Sequence, residues 1–331
     1  MIYIENSSTD AAFHFSTEDF LMRHFGSEPV LMVWQADRCV MLGANQVAHT
    51  EVDMEFAGRE NIKIVRRGSG GGAIFTDMGT LLYSFIQPYR ELENARQAVG
   101  ETVAAALKGM GVPAALEGRN DILAGGKKIS GIAQQVRHGR VCTHGSLLYD
   151  TDLDMLAGAL RADGDKIQSK AIRSVRSRVG NISEYMGGLS VGDFREGLLE
   201  RLFCGFLEHE YRLTERDLGE IEGIYNEKYN NPAWTFGKSP AFTFKNGRRF
   251  PGGRVDIYLD TKNGIVSSCA ICGDFLATEP VYALEAKLEN ILFDYRAFYA
   301  ALEGVSLGPY LGDISKEQFL SCIFGKEADG L

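Results

Sequence analysis

The chain has 331 residues, of which 45% are hydrophobic and 24% charged, and it carries a formal net charge of -9. This composition excludes a disordered or fibrous protein, and the length favours one large domain followed by a smaller one. The acidic balance argues against a nucleic-acid partner, and the lack of a basic leader or of about 20 consecutive apolar residues predicts a cytoplasmic protein without a membrane span.

The first third of the chain alternates between helical and strand patterns. Apolar residues recur at helical spacing from Asp10 to Phe25 and stop at Gly26, which predicts an amphipathic helix. Two short apolar runs follow, and the brief turn between them predicts paired strands at 30–34 and 39–42. Further elements are predicted as strands at 62–65, 73–75 and 81–86 and a helix at 92–110.

The rest of the chain predicts more strands, then helices, then a small mixed unit. Residues 116–150 have mostly strand character, with a polar turn at 137–140. Helical patterns dominate 152–229, and the turn formers at 229–232 mark a linker. Beyond the linker we expect strands at 241–244, 255–259 and 265–271 and helices at 281–291 and 295–302. The predicted fold class is α/β (α+β), with a large domain at 1–240 and a small one at 241–331.

The six cysteines are scattered along the chain rather than arranged as a dense framework, so we expect free thiols. Cys269 and Cys272 have the CxxC spacing of a metal or redox site. They continue an alternating strand pattern, however, and no second CxxC accompanies them. Two cysteines standing in a sheet are therefore the favoured interpretation.

A glycine cluster, Arg66-Arg67-Gly68-Ser69-Gly70-Gly71-Gly72-Ala73, is the first stretch that indicates chemistry. Consecutive glycines expose backbone N–H groups and let a phosphate approach the chain, and the two arginines add positive charge. The loose G-x-G-x-x-A dinucleotide fingerprint is satisfied, but it requires a helix where a strand is predicted. A P-loop is excluded because no Gly-Lys-Ser or Gly-Lys-Thr follows. An anion-binding loop and a flexible hairpin loop are the remaining alternatives.

A second stretch, residues 117–131, places polar groups in a predicted strand and brings Lys128 just before the small residues Ser130 and Gly131. A lysine between a carboxylate and an α-phosphate would stabilise charge on both partners during adenylation. Asp121 would be suited to hold Mg²⁺. Alternatively, Lys127 and Lys128 are surface lysines at the start of a hairpin.

Six short motifs bear on these alternatives. They are RRGSGGGA at 66–73, GRND at 118–121, KISGIA at 128–133, HGSLL at 144–148, SVRSRVGN at 174–181 and WTFGKSPAF at 234–242. In this order they resemble a two-domain lipoate–protein ligase across nearly the whole chain. The resemblance implies a biotin/lipoate-ligase-like mixed sheet flanked by helices in the large, catalytic domain, and a small α+β accessory domain. It also implies activation of lipoate with ATP and Mg²⁺ to lipoyl-AMP, followed by transfer of the lipoyl group to a lysine of a carrier domain.

The resemblance also assigns site residues, with Lys128 as the catalytic residue that touches both lipoate and phosphate and Asp121 as the metal ligand. The residues expected to bind nucleotide or lipoate are Arg67, Ser69, Gly71, Gly72, Ala73, Ile74, Phe75, Asn120, Asp121, Lys128 and His144. A satisfied core histidine is the alternative for His144. Two positions depart from the family pattern: Thr76 stands where His is frequent, and Ile132 where Ser or Thr is usual. We expect them to change pocket shape or acyl preference.

Lys166, Lys170, Arg173, Arg176 and Arg178 form a positive run in an acidic protein, which is suited to a phosphate or an acidic partner. The alternative is a solvated helix face. The resemblance implies that this region includes a loop that closes over the adenylate. The partners that it implies are lipoate or octanoate and the lipoyl carrier domains of 2-oxoacid dehydrogenases or the glycine cleavage H protein.

Two other functions compete with a ligase. An octanoyl or lipoyl transferase of the same fold uses a cysteine nucleophile and no ATP, but no cysteine lies between Gly111 and Lys128. A non-catalytic protein that binds a small molecule or a carrier could keep the same fold. The presence of Arg67, Gly72 and Lys128 favours the ligase.

Overall fold

The computed structural model describes residues 1–89, 92–161, 177–237, 244–262, 264–293 and 295–324. Four members of the basic run, Lys166, Lys170, Arg173 and Arg176, lie outside these residues, as do the predicted domain boundary and the end of the WTFGKSPAF motif. Across the residues that the structure describes, no helix is long and apolar enough to cross a membrane.

Helices and strands alternate along the described chain. The strands are β1 (Ile2–Ile4), β2 (Val30–Trp34), β3 (Cys39–Leu42), β4 (Lys63–Arg66), β5 (Ile74–Thr76), β6 (Thr80–Pro88), β7 (Ala114–Glu117), β8 (Asp121–Ala124), β9 (Lys127–Arg137), β10 (Arg140–Leu148), β11 (Glu210–Tyr211), β12 (Phe244–Phe250), β13 (Gly253–Lys262) and β14 (Ile265–Gly273). The α-helices are α1 (Ala11–His24), α2 (Ala48–Glu51), α3 (Met54–Arg59), α4 (Leu92–Gly109), α5 (Leu153–Ala159), α6 (Val191–Leu202), α7 (Glu215–Ile224), α8 (Pro232–Phe236), α9 (Tyr282–Glu285), α10 (Tyr295–Ala301), α11 (Gly308–Leu311) and α12 (Lys316–Phe324). Short 3-10 turns cover Ile182–Tyr185 and Phe206–His209, and a π-helical turn covers Tyr225–Tyr229.

A mixed sheet of eight strands, in the order β11-β1-β2-β6-β10-β9-β8-β7, forms the frame of the large domain. Its long central strands β6, β10 and β9 are antiparallel. His138 and Gly139 turn the chain from β9 to β10 with positive φ angles of 53° and 71°. A two-residue turn of this kind fits the twist of the strands. The turn predicted at 137–140 is therefore confirmed.

Side chains alternate between the two faces of this sheet, as strand geometry requires. On β6, Tyr83 faces the core under α4 and α6, whereas Leu82 faces the core under α1. On the first face Val103 and Leu107 of α4 are both 0% exposed, and each contributes about 2 kcal/mol of burial free energy. The second face carries α1 and a separate sheet, β4-β3-β5. The candidate site lies on this second face.

The prediction that β2 and β3 pair with each other is wrong. β2 pairs with β1 and β6 in the large sheet, whereas β3 pairs with β4 and β5 in the small one. Both strands are buried along their whole length, because each has a partner strand on both sides that comes from elsewhere in the chain. The helix predicted at 281–291 is also much shorter than expected, since α9 covers only Tyr282–Glu285.

The C-terminal α+β unit has its own hydrophobic core. Its antiparallel sheet β12-β13-β14 packs against α9 to α12 through apolar side chains such as Ile257, Phe298 and Phe319, all 0% exposed. Cys269 points into this core, whereas Cys272 of the same strand points to the opposite face, and all six cysteines are free. Both cysteine predictions are therefore confirmed.

Candidate active site

A cavity opens between the second face of the large sheet, α1, the small sheet and the glycine loop, which we define as residues 68–72. Its apolar lining comes from Phe15, Trp34, Met41, Ile74 and Leu82. Its polar lining comes from Arg67, Asn120, Lys128 and His144. A largely apolar cavity with a few converging polar groups is the usual form of a small-molecule site.

Arg67 holds the glycine loop in place through hydrogen bonds to its backbone. Its Nη2 atom donates to the carbonyls of Gly70 at 2.8 Å and Gly72 at 2.7 Å, and its Nη1 atom donates to Met41 O at 2.9 Å. Burial lowers the pKa of this guanidinium to about 10, and the nearby Glu18 opposes the shift. Arg67 therefore remains charged at neutral pH, 5% exposed, directly beneath the loop.

Arg66 does not contribute to the cavity, although the sequence suggested that both arginines serve anion binding. It is 1% exposed, and its guanidinium donates to the carbonyls of Gly43 at 2.7 Å, Gln46 at 2.7 Å and Thr235 at 2.7 Å. Because side chains alternate along an extended chain, Arg66 at the end of β4 and Arg67 directly after it point to opposite sides. Arg66 thus joins the segment before α2 to α8, and its predicted role in anion binding is wrong.

Lys128 and Asp121 form an ion pair at the cavity. The ammonium Nζ lies 2.7 Å from Asp121 Oδ1, and the two side chains are 39% and 35% exposed. Water screens a pair of this exposure, so its net contribution to stability is small. Its value is geometric, since the carboxylate fixes the direction in which the ammonium points.

A β-bulge in β9 aims Lys128 into the cavity. Ile122 pairs with Ser130 and Leu123 pairs with Lys128, so Ile129 is an extra residue on β9. Lys128 and Gly131 consequently share the face that lines the cavity, whereas Ile129 and Ile132 both enter the core under α4. Bulges often redirect a side chain in this way. Without it, strict alternation would turn Lys128 away from Gly131.

His144 lies between α1 and the glycine loop. Its Nδ1 atom is 2.9 Å from Glu18 Oε1, and its Nε2 atom is 2.7 Å from Ser69 Oγ. His144 is 6% exposed, Ser69 1% and Glu18 0%. The two interpretations left open from the sequence both hold in part, because this histidine lines the cavity and is also fully hydrogen-bonded.

Glu18, Cys142 and His144 bring three potential ligand atoms within 4.8 Å of one another among the described residues. Metal binding would need a thiolate and a free imidazole nitrogen. Burial and the nearby carboxylates of Glu18 and Asp19 raise the pKa of the Cys142 thiol well above its ordinary value, and Nδ1 of His144 is committed to Glu18. The group is therefore a hydrogen-bonded cluster rather than a metal centre.

Asn120 shapes the cavity through the backbone of Ile132. Its Nδ2 atom donates to Ile132 O at 3.1 Å, and Ile132 N donates to Asn120 O at 2.8 Å. The side chain of Ile132 packs towards Gly100 of α4 in the core. Ile132 also lines the cavity, so the departure from the family pattern at this position bears on both the core and the cavity wall.

The structure brings most of the predicted site residues together. Those that line the cavity are Arg67, Gly71, Gly72, Ala73, Ile74, Asn120, Lys128 and His144. Ser69 is connected to the cavity by its hydrogen bond to His144, and Asp121 by its ion pair with Lys128. The side chain of Phe75 instead packs in the core of the small sheet with Val40 and Leu42, and Thr76 is buried against Cys39.

The sequence analysis missed four cavity residues, Phe15, Trp34, Met41 and Leu82, and it missed Glu18, which lies behind the cavity and bonds to His144. Apolar side chains in a strand or helix carry no signal that separates a cavity wall from a core. Glu18 did carry a signal, because a charged residue at a fully buried helix position needs a partner.

Protein-family comparisons identify the class of protein that has this fold and site. A family model described as lipoyl protein ligase A/B catalytic domain matches residues 10–203, and one described as bacterial lipoate protein ligase C-terminus matches residues 239–323. Lipoate-protein ligase LplJ of Bacillus subtilis is 36% identical over 333 residues, covering 98% of this chain and 100% of that protein.

Solved structures agree with this class. LipL1 of P. falciparum, in complex with lipoate, is similar in fold, with a TM-score of 0.77 at 20% identity over 92% of this chain and 94% of that chain. A bipartite lipoate protein ligase from Thermoplasma acidophilum, studied with its E2 lipoyl domain, has a TM-score of 0.66 at 27% identity over 73% of this chain and 98% of that chain. Lipoate-protein ligase A bound with ATP has a TM-score of 0.62 at 28% identity, with coverages of 71% and 98%.

The fold and the site therefore define an enzyme, a ligase that acts on proteins. More narrowly, the chain belongs to the lipoate–protein ligase family, as its motifs imply.

Proposed function

We propose that the protein activates lipoate with ATP to lipoyl-AMP and then transfers the lipoyl group to a lysine of a carrier domain. The observation that carries this proposal is the position of Lys128, which lines the same cavity as Arg67, the glycine loop and a set of apolar side chains. The apolar lining suits an acyl chain, and the cationic groups suit phosphate. One cavity that offers both is suited to joining a carboxylate to a nucleotide.

In the first step, a lipoate carboxylate oxygen would bond to the α-phosphorus while the bond to the pyrophosphate oxygen breaks. Both reactants are anionic, so their approach is unfavourable without a fixed positive charge. Lys128 would supply this charge and stabilise the transition state, because a preorganised ammonium stabilises charge that develops next to it. Asp121 would keep the ammonium in place before the substrates bind.

The glycine loop would hold the nucleotide phosphates. Gly71 has a φ angle of 87° that other residues adopt only with strain, and its Cβ-free backbone passes close to Gly43. Arg67 fixes the loop carbonyls from below, and its charge favours an anion above them. We propose Arg67, Ser69 and residues 71–75 as the nucleotide-binding segment, with Phe75 acting through its backbone.

Asp121 fits the requirements of a Mg²⁺ ligand. Its carboxylate is a partly exposed oxygen donor beside the cavity, and Mg²⁺ is usually held by one or two carboxylates together with phosphate oxygens and water. When bound, the ion would neutralise part of the phosphate charge. Asn120 would then shape the neighbouring wall through its hydrogen bond to Ile132.

The cysteine chemistry of a transferase is disfavoured. Cys142 lies beside His144, but burial and nearby carboxylates raise the pKa of its thiol well above the ordinary value, so the reactive thiolate is suppressed. Burial likewise raises the pKa of Cys39 to about 12. The cavity therefore lacks an activated thiol to attack a thioester or amide.

For the second step we propose a lipoyl carrier domain of a 2-oxoacid dehydrogenase or the glycine cleavage H protein as the acceptor. The match to an archaeal ligase that was studied with its E2 lipoyl domain supports this class of acceptor. Octanoate is the alternative acyl substrate, since the apolar lining places no demand on the dithiolane ring.

Pyrophosphate release from ATP, measured with lipoate, octanoate and biotin side by side, tests the proposal. We expect release with lipoate and transfer of the acyl group to an added carrier domain. Lys128→Ala should lower the rate about 100-fold, because it removes a charge that acts in the transition state. Lys127→Ala is the matched control, since Lys127 pairs with Glu184 at 3.5 Å instead of Asp121 and should leave the rate unchanged.

Two results would contradict the proposal. Normal pyrophosphate release by a folded Lys128→Ala variant would remove this residue from the reaction. No release with any of the three acids, combined with acyl transfer from a thioester, would favour a transferase.

A further inference from the structure

We infer that Glu18 is a positioning residue that sets the geometry of Arg67 through His144 and Ser69. The inference rests on the proposed function in one respect, namely that Arg67 and the glycine loop bind ATP. Glu18 lies on α1, outside every motif that the sequence analysis singled out, and among the described residues it makes no direct hydrogen bond to the loop. Its influence runs through a series of hydrogen bonds and through its charge.

The connection is continuous. Glu18 Oε1 lies 2.9 Å from His144 Nδ1, and His144 Nε2 lies 2.7 Å from Ser69 Oγ. Arg67 Nε completes the path, 3.0 Å from Ser69 Oγ. A second series of hydrogen bonds reaches the same carboxylate. Ser84 Oγ lies 2.6 Å from Glu18 Oε1 and 3.1 Å from Trp34 Nε1.

The chemistry of the end groups fixes the direction of every bond. Arginine and the tryptophan indole only donate, whereas an ionised carboxylate only accepts. A neutral His144 must therefore donate from Nδ1 to Glu18 and accept at Nε2. Ser69 must donate its hydroxyl proton to His144, which leaves its oxygen lone pairs for Arg67. The carboxylate thus selects the tautomer of the imidazole and, through it, the orientation of the Ser69 hydroxyl.

Burial makes this arrangement sensitive to a single change. Every member of the path from Glu18 to Arg67 is at most 6% exposed, so water cannot replace a lost partner and the hydrogen bonds reinforce one another. The opposite charges at the two ends also interact, since Glu18 favours the charged form of Arg67. The path therefore couples the charge on α1 to the charge beneath the loop.

Glu18→Gln should break the coupling while conserving side-chain size. The neutral amide no longer fixes the proton on Nδ1, and with the amide nitrogen facing Nδ1 the imidazole carries its proton on Nε2 and donates to Ser69. The Ser69 hydroxyl would have to turn towards Gly70 O, which is 3.5 Å away and already accepts from Arg67 at 2.8 Å. Competition at this carbonyl would loosen Arg67 and the loop that it holds.

The test measures the dissociation constant of MgATP by titration calorimetry on the full chain. Loss of one charge-assisted hydrogen bond corresponds to about a ten-fold change in affinity, so Glu18→Gln and Ser69→Ala should each weaken ATP about ten-fold. The double variant should be no weaker than the weaker single variant, because both changes cut one path. Cys39→Ala is the matched control: it removes a similarly buried side chain, bonded to Thr76 and outside the path, and should leave ATP affinity unchanged.

Each outcome decides a different question. Unchanged ATP affinity in a folded Glu18→Gln or Ser69→Ala variant, multiplicative losses in the double variant, or an equal loss in Cys39→Ala would overturn the inference. Melting temperatures separate misfolding from loosened binding, and Ser69→Ala is small enough to keep the test valid if Glu18→Gln does not fold. Failure of the wild-type chain to bind ATP would overturn the proposed function as well, whereas intact ATP binding without pyrophosphate release would overturn only the proposed function.

Discussion

Arg66 and Arg67 are neighbours in the sequence but have different roles, since Arg66 is structural and Arg67 lines the cavity. Both guanidiniums are buried, neither forms an ion pair with a carboxylate of the described residues, and burial lowers the pKa of each to about 10. Arg66 satisfies its donors with backbone carbonyls of two distant segments, and Arg67 satisfies its donors with the glycine loop. The sequence predicted a cationic loop, but it could not predict which arginine faces the cavity. The two residues are of the same type and differ only in the side of the chain to which they point.

Gly131 leaves the space that the Lys128 side chain needs. A Cβ atom at this position would lie 3.1 Å from Lys128 Nζ and 3.2 Å from its Cε, so the lysine would have to shift. The backbone of Gly131 has no positive φ, so alanine brings no strain of its own. We predict that Gly131→Ala folds normally and lowers pyrophosphate release about ten-fold, since small displacements of catalytic groups are costly.

Gly223→Ala is the control for the Gly131 prediction. Gly223 lies in α7, where nothing surrounds the added Cβ within 4 Å, and alanine favours a helix by about 0.5–1 kcal/mol. This variant should keep full activity. Equal rates for Gly131→Ala and the wild-type enzyme would show that Lys128 tolerates displacement.

At the scale of secondary-structure elements, β9 was predicted well in extent and poorly in detail. Residues 116–150 were expected to be mostly strand up to and beyond a turn at 137–140, and β9 covers Lys127–Arg137. The bulge at Ile129 could not be predicted from the sequence. It adds a single residue to the strand, and the Lys-Lys-Ile-Ser segment has no clear apolar pattern in which an extra residue would be visible. Because of this bulge, Lys128 faces the cavity. The orientation of this lysine therefore depends on the pairing of β9 with β8.

Helix α1 was predicted correctly, but its burial was not, and this burial makes stability depend on pH. His14 is 0% exposed, donates from Nε2 to Ser8 O at 2.6 Å and stacks on Trp34. Burial lowers the pKa of His14 from 6.5 to about 4. As the pH falls through this window, the unfolded chain binds a proton that the folded chain excludes, so the folded state loses stability.

We predict that the free energy of unfolding, measured in urea, falls by about 2 kcal/mol more in the wild-type protein than in His14→Phe between pH 7 and pH 5. Phenylalanine keeps the ring that stacks on Trp34 and cannot take a proton. Phe20→Leu on the same helix should retain the wild-type pH dependence, because it changes a buried ring without removing a titratable group. An identical pH profile for His14→Phe and the wild-type protein would contradict the assignment.

At the scale of the whole molecule, the sequence predicted the two-part α+β architecture because its local patterns and motifs extend over nearly the full chain. It could not predict how the parts meet. The C-terminal unit contacts the glycine loop through the bond from Gly71 N to Phe275 O at 3.3 Å, and it contacts the large domain again through the bond from Gly273 N to Asn45 O at 3.0 Å. Such contacts join residues some 200 positions apart and leave no periodic signal.

The contact between the two units can be tested at Arg119. Its Nη1 atom donates to the carbonyl of Gly252 and lies 3.9 Å from a carboxylate oxygen of Asp313. The Asp313 side chain is 68% exposed, so that ion pair contributes less than about 0.5 kcal/mol. The bond from the partly buried guanidinium of Arg119 to a carbonyl contributes about 2 kcal/mol. We therefore predict that Arg119→Ala lowers the free energy of unfolding in denaturant by about 2 kcal/mol and exposes the contact to limited proteolysis, whereas Asp313→Ala changes neither. Equal effects of the two variants would show that the ion pair, and not the carbonyl bond, holds the units together.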